Sequence, residues 1–240
     1  MAVLSASDPF AGVQHLSRTT AVLAAQGADL PQPDQLCGPF AAHAALHGVG
    51  LASVPSLHDL ALAAGTHVWP HDEPEARPPG VAARTDGWDG LPRAATPDAA
   101  GTDAASLAAG VERATSDAVA AVGASGPWTP STVEALLTAV RDAPFTVGVV
   151  ANLRTGPVSG GLWDVGHFVV LWGVDPAVGQ VAVADSYAGL GEQGRYLASL
   201  DDLAAALPGR GVLLLVASER RSEATDLVAS AGLEPGLWAT

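Results

Sequence analysis

The chain carries a single cysteine in surroundings that suit a nucleophile. Cys37 follows a proline-containing loop, residues 30–36, and precedes an apolar run, residues 40–46, that predicts a buried helix. A helix N-terminus stabilises a thiolate through its free N–H groups and positive partial charge, and can lower a cysteine pKa from about 8.5 to roughly 3.5–7.5. The same N–H groups can hold the oxyanion formed on a substrate carbonyl. Gly38 is expected to leave space for substrate beside the sulfur.

A thiolate nucleophile needs a base, and His167 is the best candidate among the seven histidines. It stands at the start of a predicted strand, residues 168–174, and Gly166 is expected to give access beside it. Asp185 ends the next predicted strand, residues 181–184, and lies 18 positions after His167 (185 − 167). If the two strands pair as an antiparallel hairpin, Asp185 can reach the imidazole and fix its orientation, as the acid of a catalytic triad does.

These residues resemble the pattern of papain-like cysteine peptidases, in particular the bacterial branch that processes bacteriocin leader peptides at a double glycine. The shared elements are a glutamine before Cys-Gly-Pro, then Gly-His-Phe-Val-Val, then Asp-Ser-Tyr, within residues 30–46 and 145–187. The resemblance implies a papain-like fold with the cysteine on a central helix and the histidine and acid on an antiparallel sheet. It also implies cleavage of a peptide or amide bond through a thioester, without a cofactor.

The resemblance also implies a glutamine that helps to bind the oxyanion. In that family it usually lies one position further from the cysteine than Gln32 does, and Pro31 occupies that position here. Gln35 is the second candidate, but it lies almost at the helix start. We therefore expect Gln32 and the Cys37 amide to bind the oxyanion; loss of one such donor can cost about 10²–10³ in rate.

Each of these residues also has a structural interpretation. A lone cysteine is often a small buried hydrophobe, a histidine on an apolar strand is often a core residue, and Asp185 can be a turn residue. Trp163 is expected to line a substrate groove, with a core position as the alternative. Tyr187 either finishes its strand or shields the histidine–aspartate bond from water.

Two pairs of histidines raise the alternative of a zinc site. His43 and His47 are four positions apart, and so are His67 and His71, a spacing that places two side chains on one face of a helix. However, no glutamate follows His43 as a zinc peptidase requires, and a proline interrupts the second pair. We predict no metal site, and expect His43 and His47 to pack near the core or at a lobe interface.

The remaining pattern predicts helices first and antiparallel strands afterwards, an α+β architecture. Helices are predicted over residues 9–26, 57–64, 103–122, 131–141 and 200–207, and strands over residues 145–150, 168–174, 181–184 and 212–216. Many prolines and glycines indicate an insertion or lid over about residues 66–102. We predict one papain-like domain, with a helical lobe over about residues 9–142, a sheet lobe over about residues 143–217 and a C-terminal extension over residues 218–240.

The composition restricts the possible partners and setting. The 240 residues carry a net charge of −14, which disfavours nucleic acids and anionic membranes as partners. The sequence lacks both a signal-peptide pattern at its start and a run of roughly 18 apolar residues. One cysteine cannot form an internal disulfide, so a reducing cytoplasmic setting fits. Arginine is the basic residue throughout, with no lysine, which is typical of a bacterium with GC-rich codons.

Three functions are therefore considered. The first is a cysteine peptidase or amidase with Cys37, His167, Asp185 and Gln32 as its site and a peptide or protein as substrate. The second is an acyl transferase on the same triad, which a water-excluding lid would favour. The third is a catalytically inactive peptide-binding module on this fold.

Overall fold

An antiparallel sheet of eight strands forms the centre of the molecule; the computed structural model describes residues 8–238. The strands are β1 (Gln14–His15), β2 (Val119–Ser125), β3 (Gly148–Arg154), β4 (Gly166–Asp175), β5 (Gln180–Ala184), β6 (Arg195–Ser199), β7 (Gly211–Ala217) and β8 (Glu234–Pro235). Their order is β6–β5–β4–β3–β7–β2–β8, with β1 paired to β4, and all pairings are antiparallel. The predicted α+β class with an antiparallel sheet is confirmed.

Helices cover both faces of this sheet. They are α1 (Thr19–Asp29), α2 (Cys37–Val49), α3 (Leu57–Ala63), α4 (Ala104–Ala114), α5 (Pro130–Asp142), α6 (Thr155–Val158), α7 (Leu200–Ala206) and α8 (Arg221–Ser230). Side chains of a strand alternate between faces, and β3 shows the result. Val149 and Ala151 belong to the core beneath α5, α7 and α8, whereas Val150 belongs to the core beneath α1 to α4.

Helix α2 packs directly on the sheet because most of its buried residues are alanine or glycine. Gly148 brings β3 against the Ala45 carbonyl, where a side chain would not fit. This close packing leaves the helix little freedom to shift, since interiors are packed to crystal-like density. Cys37, the first residue of α2, is therefore held in a fixed position relative to β3 and β4.

The first predicted helix begins later than expected. Residues 9–12 form turns, with the Asp8 carboxylate accepting the Phe10 N–H at 2.9 Å, and β1 then pairs with the end of β4. Helix α1 starts only at Thr19. The predicted start at Pro9 is wrong because the chain uses these residues to extend the sheet, a long-range pairing that local propensity does not reveal.

The predicted helix over residues 103–122 is wrong in its second half. Helix α4 ends at Ala114, and β2 begins at Val119 after Ser116 and Asp117, both with positive φ. Strand β2 lies between β7 and β8 in the sheet. Its alanines favour a helix intrinsically, but pairing with β7 along six residue pairs overrides that preference.

Side chains cap the starts of several helices. Ser56 and Ser199 cap α3 and α7. A capping box of Thr129 and Thr132 opens α5, with Pro130 at its first helical position. Strand β6 was not predicted.

Residues 66–102 contain only two short 3-10 helices and isolated β-bridges. The predicted helical lobe and the predicted C-terminal extension also contribute strands to the sheet. Strand β2 lies within residues 9–142, and β8 lies within residues 218–240. A boundary near residue 143 therefore does not separate helices from strands. Within residues 8–238, no helix has the length and apolar character needed to cross a membrane.

Candidate active site

The start of α2 presents two backbone donors beside the cysteine. The first four N–H groups of a helix have no intrahelical partner. Here the Leu36 N–H donates to the Pro33 carbonyl at 3.3 Å, and Pro39 has no N–H. The N–H groups of Cys37 and Gly38 are the two that remain, next to a thiol that is partly exposed. Such a pair of donors suits an oxyanion.

His167 and Asp185 meet on the hairpin of β4 and β5, whose antiparallel pairing was predicted. The His167 Nε2 lies 3.0 Å from Asp185 Oδ1, and both side chains are almost fully buried. Asp185 Oδ1 also accepts the Tyr187 N–H at 3.1 Å, and its Oδ2 accepts the Tyr196 hydroxyl at 3.4 Å. The carboxylate is therefore fixed, and it leaves the imidazole Nδ1 as the nitrogen available to the sulfur.

The cysteine and the histidine favour each other's charged form. Burial raises the pKa of the Cys37 thiol, but the charge of His167, a hydrogen bond with it and the Phe168 N–H together lower that pKa below its usual value. Burial lowers the pKa of His167, but the charges of Asp185 and Cys37 outweigh it and raise the pKa to about 10. These shifts favour the thiolate and the imidazolium, the reactive form of such a pair.

Two aromatic side chains enclose the imidazole. The Trp163 ring meets it edge-on, with centroids 5.2 Å apart, and the Tyr187 ring stacks on it at 5.6 Å. Both rings are buried. The structure thus places Trp163 against the base rather than along an open groove, and Tyr187 where it can shield the His167–Asp185 bond from water.

The two candidate glutamines have different surroundings. Both polar atoms of the Gln35 side chain bind the Trp69 backbone, at 3.2 Å to its carbonyl and 2.6 Å from its N–H. Gln32 is buried beside Tyr187, and its Oε1 has no partner among residues 8–238. Burial is the main cause that raises the Tyr187 pKa. Gln35 is therefore bound to Trp69, and Gln32 is the glutamine that lies beside Tyr187, the ring stacked on the imidazole.

A model of a protein family of unknown function, DUF6885, matches residues 16–161 and 153–239. The chain belongs to this family. The matched ranges include Cys37, His167 and Asp185. No curated protein matches the chain.

The two glycines predicted to give substrate access have packing roles. A Cβ on Gly38 would face Phe168, Thr102 and Leu107 at 3.4–3.5 Å, so this side of Gly38 lies in the core. A Cβ on Gly166 would lie 2.7–3.0 Å from the guanidinium of Arg210. The space beside Gly166 is therefore occupied by an arginine.

Sequence reasoning missed four residues around this site. Gln26 donates to the Asp185 carbonyl at 3.0 Å, and Tyr196 binds the Asp185 carboxylate. Asn152 accepts from Arg210 Nη1 at 2.7 Å. Two of them carried a signal, since Gln26 and Asn152 are polar residues inside apolar stretches, and buried polar groups need partners.

The histidine pairs are not arranged as metal centres. The His43 Nδ1 contacts the Asp29 carboxylate, and the rings of His43 and His47 lie 5.1 Å apart. His67 pairs through its backbone with Gly101. Across the described part of the chain, no three histidine, cysteine or acidic side chains are grouped as metal ligands.

Proposed function

We propose that this chain is a papain-like cysteine hydrolase that cleaves a peptide or amide bond through a thioester on Cys37. The observation that carries the proposal is the Cys37–His167–Asp185 arrangement. It joins a thiol at a helix N-terminus, whose pKa is lowered, to a buried imidazole held by a carboxylate at 3.0 Å. Packing alone does not explain why these three groups meet from separate elements, because burial of ionisable side chains costs free energy of folding.

The reaction follows from these contacts. The Cys37 thiolate attacks the substrate carbonyl, and the oxyanion is held by the N–H groups of Cys37 and Gly38 and by the Gln32 amide. The His167 imidazolium gives its proton to the leaving amine, which departs and leaves the thioester. Neutral His167 then takes a proton from water, which attacks the thioester and releases the acid. Asp185 holds the ring orientation and favours the imidazolium throughout.

The placement of the elements supports the papain-like assignment. The nucleophile begins a helix that packs on the face of an antiparallel sheet, and the base and the acid lie on two adjacent strands of that sheet. This is the arrangement that the sequence resemblance implies. Gln32 lies nearer to the cysteine than the family's glutamine does, yet its buried side chain adjoins Tyr187 beside the imidazole.

The direct test is cleavage of a complex peptide mixture by the purified protein, followed by mass spectrometry. We expect new peptide termini with the wild type and none with Cys37→Ala or His167→Ala. Brief acid quenching should capture an acyl group on Cys37. If the acyl group can pass from Cys37 to an amine, addition of hydroxylamine or an amine should give the corresponding hydroxamate or amide. Cleavage that persists in Cys37→Ala, or no acyl adduct with any peptide pool, would overturn the proposal.

A further inference from the structure

Arg210 is an arginine of the site that the reaction above does not use. It lies in the turn between α7 and β7, where its N–H donates to the Leu207 carbonyl at 2.8 Å. The Trp128 indole donates to the Arg210 carbonyl at 3.3 Å. These bonds hold the backbone in place, so the side chain reaches the sheet from a fixed position.

The guanidinium lies against Gly166 of β4, the residue before the base. It occupies the space beside Gly166, where any larger residue would collide with it, and Nη1 donates to Asn152 at 2.7 Å. Gly166 and Phe168 share one face of β4, by alternation along the strand. Phe168 lies against Gly38, the residue after the nucleophile. Arg210 therefore stands on the same face as the nucleophile.

Arg210 forms no ion pair within residues 8–238. Arg154, its neighbour, forms an ion pair with Asp164, whereas no carboxylate in that range lies within ion-pair distance of Arg210. Burial and the charge of Arg154 lower the Arg210 pKa, and Asp164 and Cys37 oppose them. A half-buried arginine in this situation is suited to an anion from outside the chain.

We propose that Arg210 is a specificity-determining residue that binds a carboxylate of the substrate beside the scissile bond. This inference rests on the proposed function and names the substrate class as peptides with an anionic group near the cleaved bond. The planar guanidinium can grip a carboxylate with two parallel N–H groups while Nη1 stays on Asn152. The carboxylate belongs either to a free C-terminus or to an acidic side chain.

Alkylation of Cys37 tests the inference without a known substrate. Iodoacetate and iodoacetamide react with the same thiolate and differ mainly in charge, and the chain has no other cysteine. We expect Arg210→Gln to lower the ratio of the iodoacetate rate to the iodoacetamide rate about fivefold, the size of a screened charge contact. Arg210→Lys should retain part of the ratio, and added salt should reduce it in the wild type.

Arg113→Gln is the matched control, because Arg113 binds only the Ala63 carbonyl on the surface and should leave the ratio unchanged. A ratio that Arg210→Gln leaves unchanged would overturn the inference. The iodoacetamide rate separates this failure from that of the proposed function: if it stays fast and dependent on His167, only the role of Arg210 is lost. Thermal unfolding of each variant verifies that the comparison is made between folded proteins.

The source of the carboxylate follows from protection experiments. N-acetylglycine offers an α-carboxylate, N-acetylaspartate α-amide offers a side-chain carboxylate, and N-acetylglycinamide offers neither. We expect one of the two acids to slow alkylation of the wild type and not of Arg210→Gln. Equal protection by the neutral amide, or protection that Arg210→Gln retains, would overturn the inference.

Discussion

Within residues 8–238 there are two histidine–aspartate pairs, and only one of them adjoins a thiol. The His167–Asp185 pair lies at the mouth of the β4–β5 hairpin, and the His43–Asp29 pair joins the middle of α2 to the end of α1. In both, one ring nitrogen meets a carboxylate oxygen. The same local contact therefore occurs twice within one domain.

Burial and the third group distinguish the two pairs. The side chains of His167 and Asp185 are 3% and 1% exposed, against 14% and 27% for His43 and Asp29. The third group is a thiol for the first pair and the His47 imidazole for the second. Burial, and then the charge of His43, lower the pKa of His47. Of the two contacts, the one at His167 shares its buried setting with a thiol, so His167 is the histidine placed to exchange a proton with a nucleophile.

The largest expected difference between the pairs is in thiol reactivity. At about pH 6 we expect His167→Ala to slow alkylation of Cys37 by iodoacetamide about 30-fold, because the thiol pKa returns towards its free value while the remaining thiolate becomes more nucleophilic. His43→Ala should keep the wild-type rate. A second-order rate constant for each variant measures this. Similar losses in both variants would show that the two pairs do not differ as described.

Replacing the acids should give a smaller effect in the same direction. Asp185→Asn removes the charge that favours the imidazolium, and it also removes a charge that disfavours the thiolate. The first effect dominates because Asp185 is the larger of the two charges acting on His167, whereas it is the smallest cause acting on Cys37. We expect the alkylation rate at about pH 6 to fall about tenfold, which corresponds to one pKa unit.

Asp29→Asn is the control for that substitution, and it should leave the rate unchanged. An Asp185→Asn variant that reacts as fast as the wild type would show that the carboxylate does not sustain the charged pair.

The pH dependence of stability provides a third comparison. The folded pKa of His167 is raised from 6.5 to about 10, so its contribution is complete below pH 6.5 and is lost as the pH rises through about 10. The folded pKa of Cys37 is lowered from 9.0, so its contribution is complete above pH 9.0 and is lost as the pH falls. The two changes oppose each other where their windows overlap, above the folded pKa of Cys37 and below pH 9.0, so the net contribution should vary little there.

Chemical denaturation of the wild type and of His167→Ala measures this contribution as a difference in free energy of unfolding. We expect the difference to decline above pH 9.0. The decline should persist when His43→Ala replaces the wild type in the comparison with His167→Ala, because His43→Ala keeps the His167–Asp185 pair. A difference that rises above pH 9.0 would have the wrong sign for an imidazolium.

The smallest expected effect concerns the outer contact of the carboxylate. Tyr196→Phe removes one hydrogen bond of 3.4 Å to Asp185 Oδ2, while the bonds to His167 and to the Tyr187 N–H remain. A hydrogen bond of this kind contributes about 0.5–1.5 kcal/mol. We expect the alkylation rate to change less than about threefold. A loss as large as that of Asp185→Asn would show that Tyr196, rather than the histidine contact, fixes the acid.

The sequence identified those parts of the site that local patterns encode. The β-branched runs around His167 and before Asp185 predicted two strands, and a short turn between them made an antiparallel hairpin the simplest pairing. The proline loop and the apolar run around Cys37 predicted a helix start there. These segments have strong local preferences that agree with the fold, which is why they could be predicted.

The parts that were missed depend on contacts between distant segments. Strand β2 is alanine-rich and becomes a strand because β7 and β8 pair with it on both sides. Arg210 comes to the base from the turn before β7, 43 positions along the chain from His167 (210 − 167). No local pattern around Gly166 reveals that an arginine fills the space beside it. The sequence alone therefore did not reveal strand pairing between distant segments or side-chain contacts between them.

The most direct test of the account is a titration of the Cys37 thiolate, followed by its ultraviolet absorbance, in the wild type and in His167→Ala. We expect the wild-type thiol to titrate with a midpoint below that of His167→Ala, which should titrate near the free-thiol value of about 8.5. If both proteins titrate together near that value, the thiolate–imidazolium pair does not form, and the proposal of a cysteine hydrolase fails.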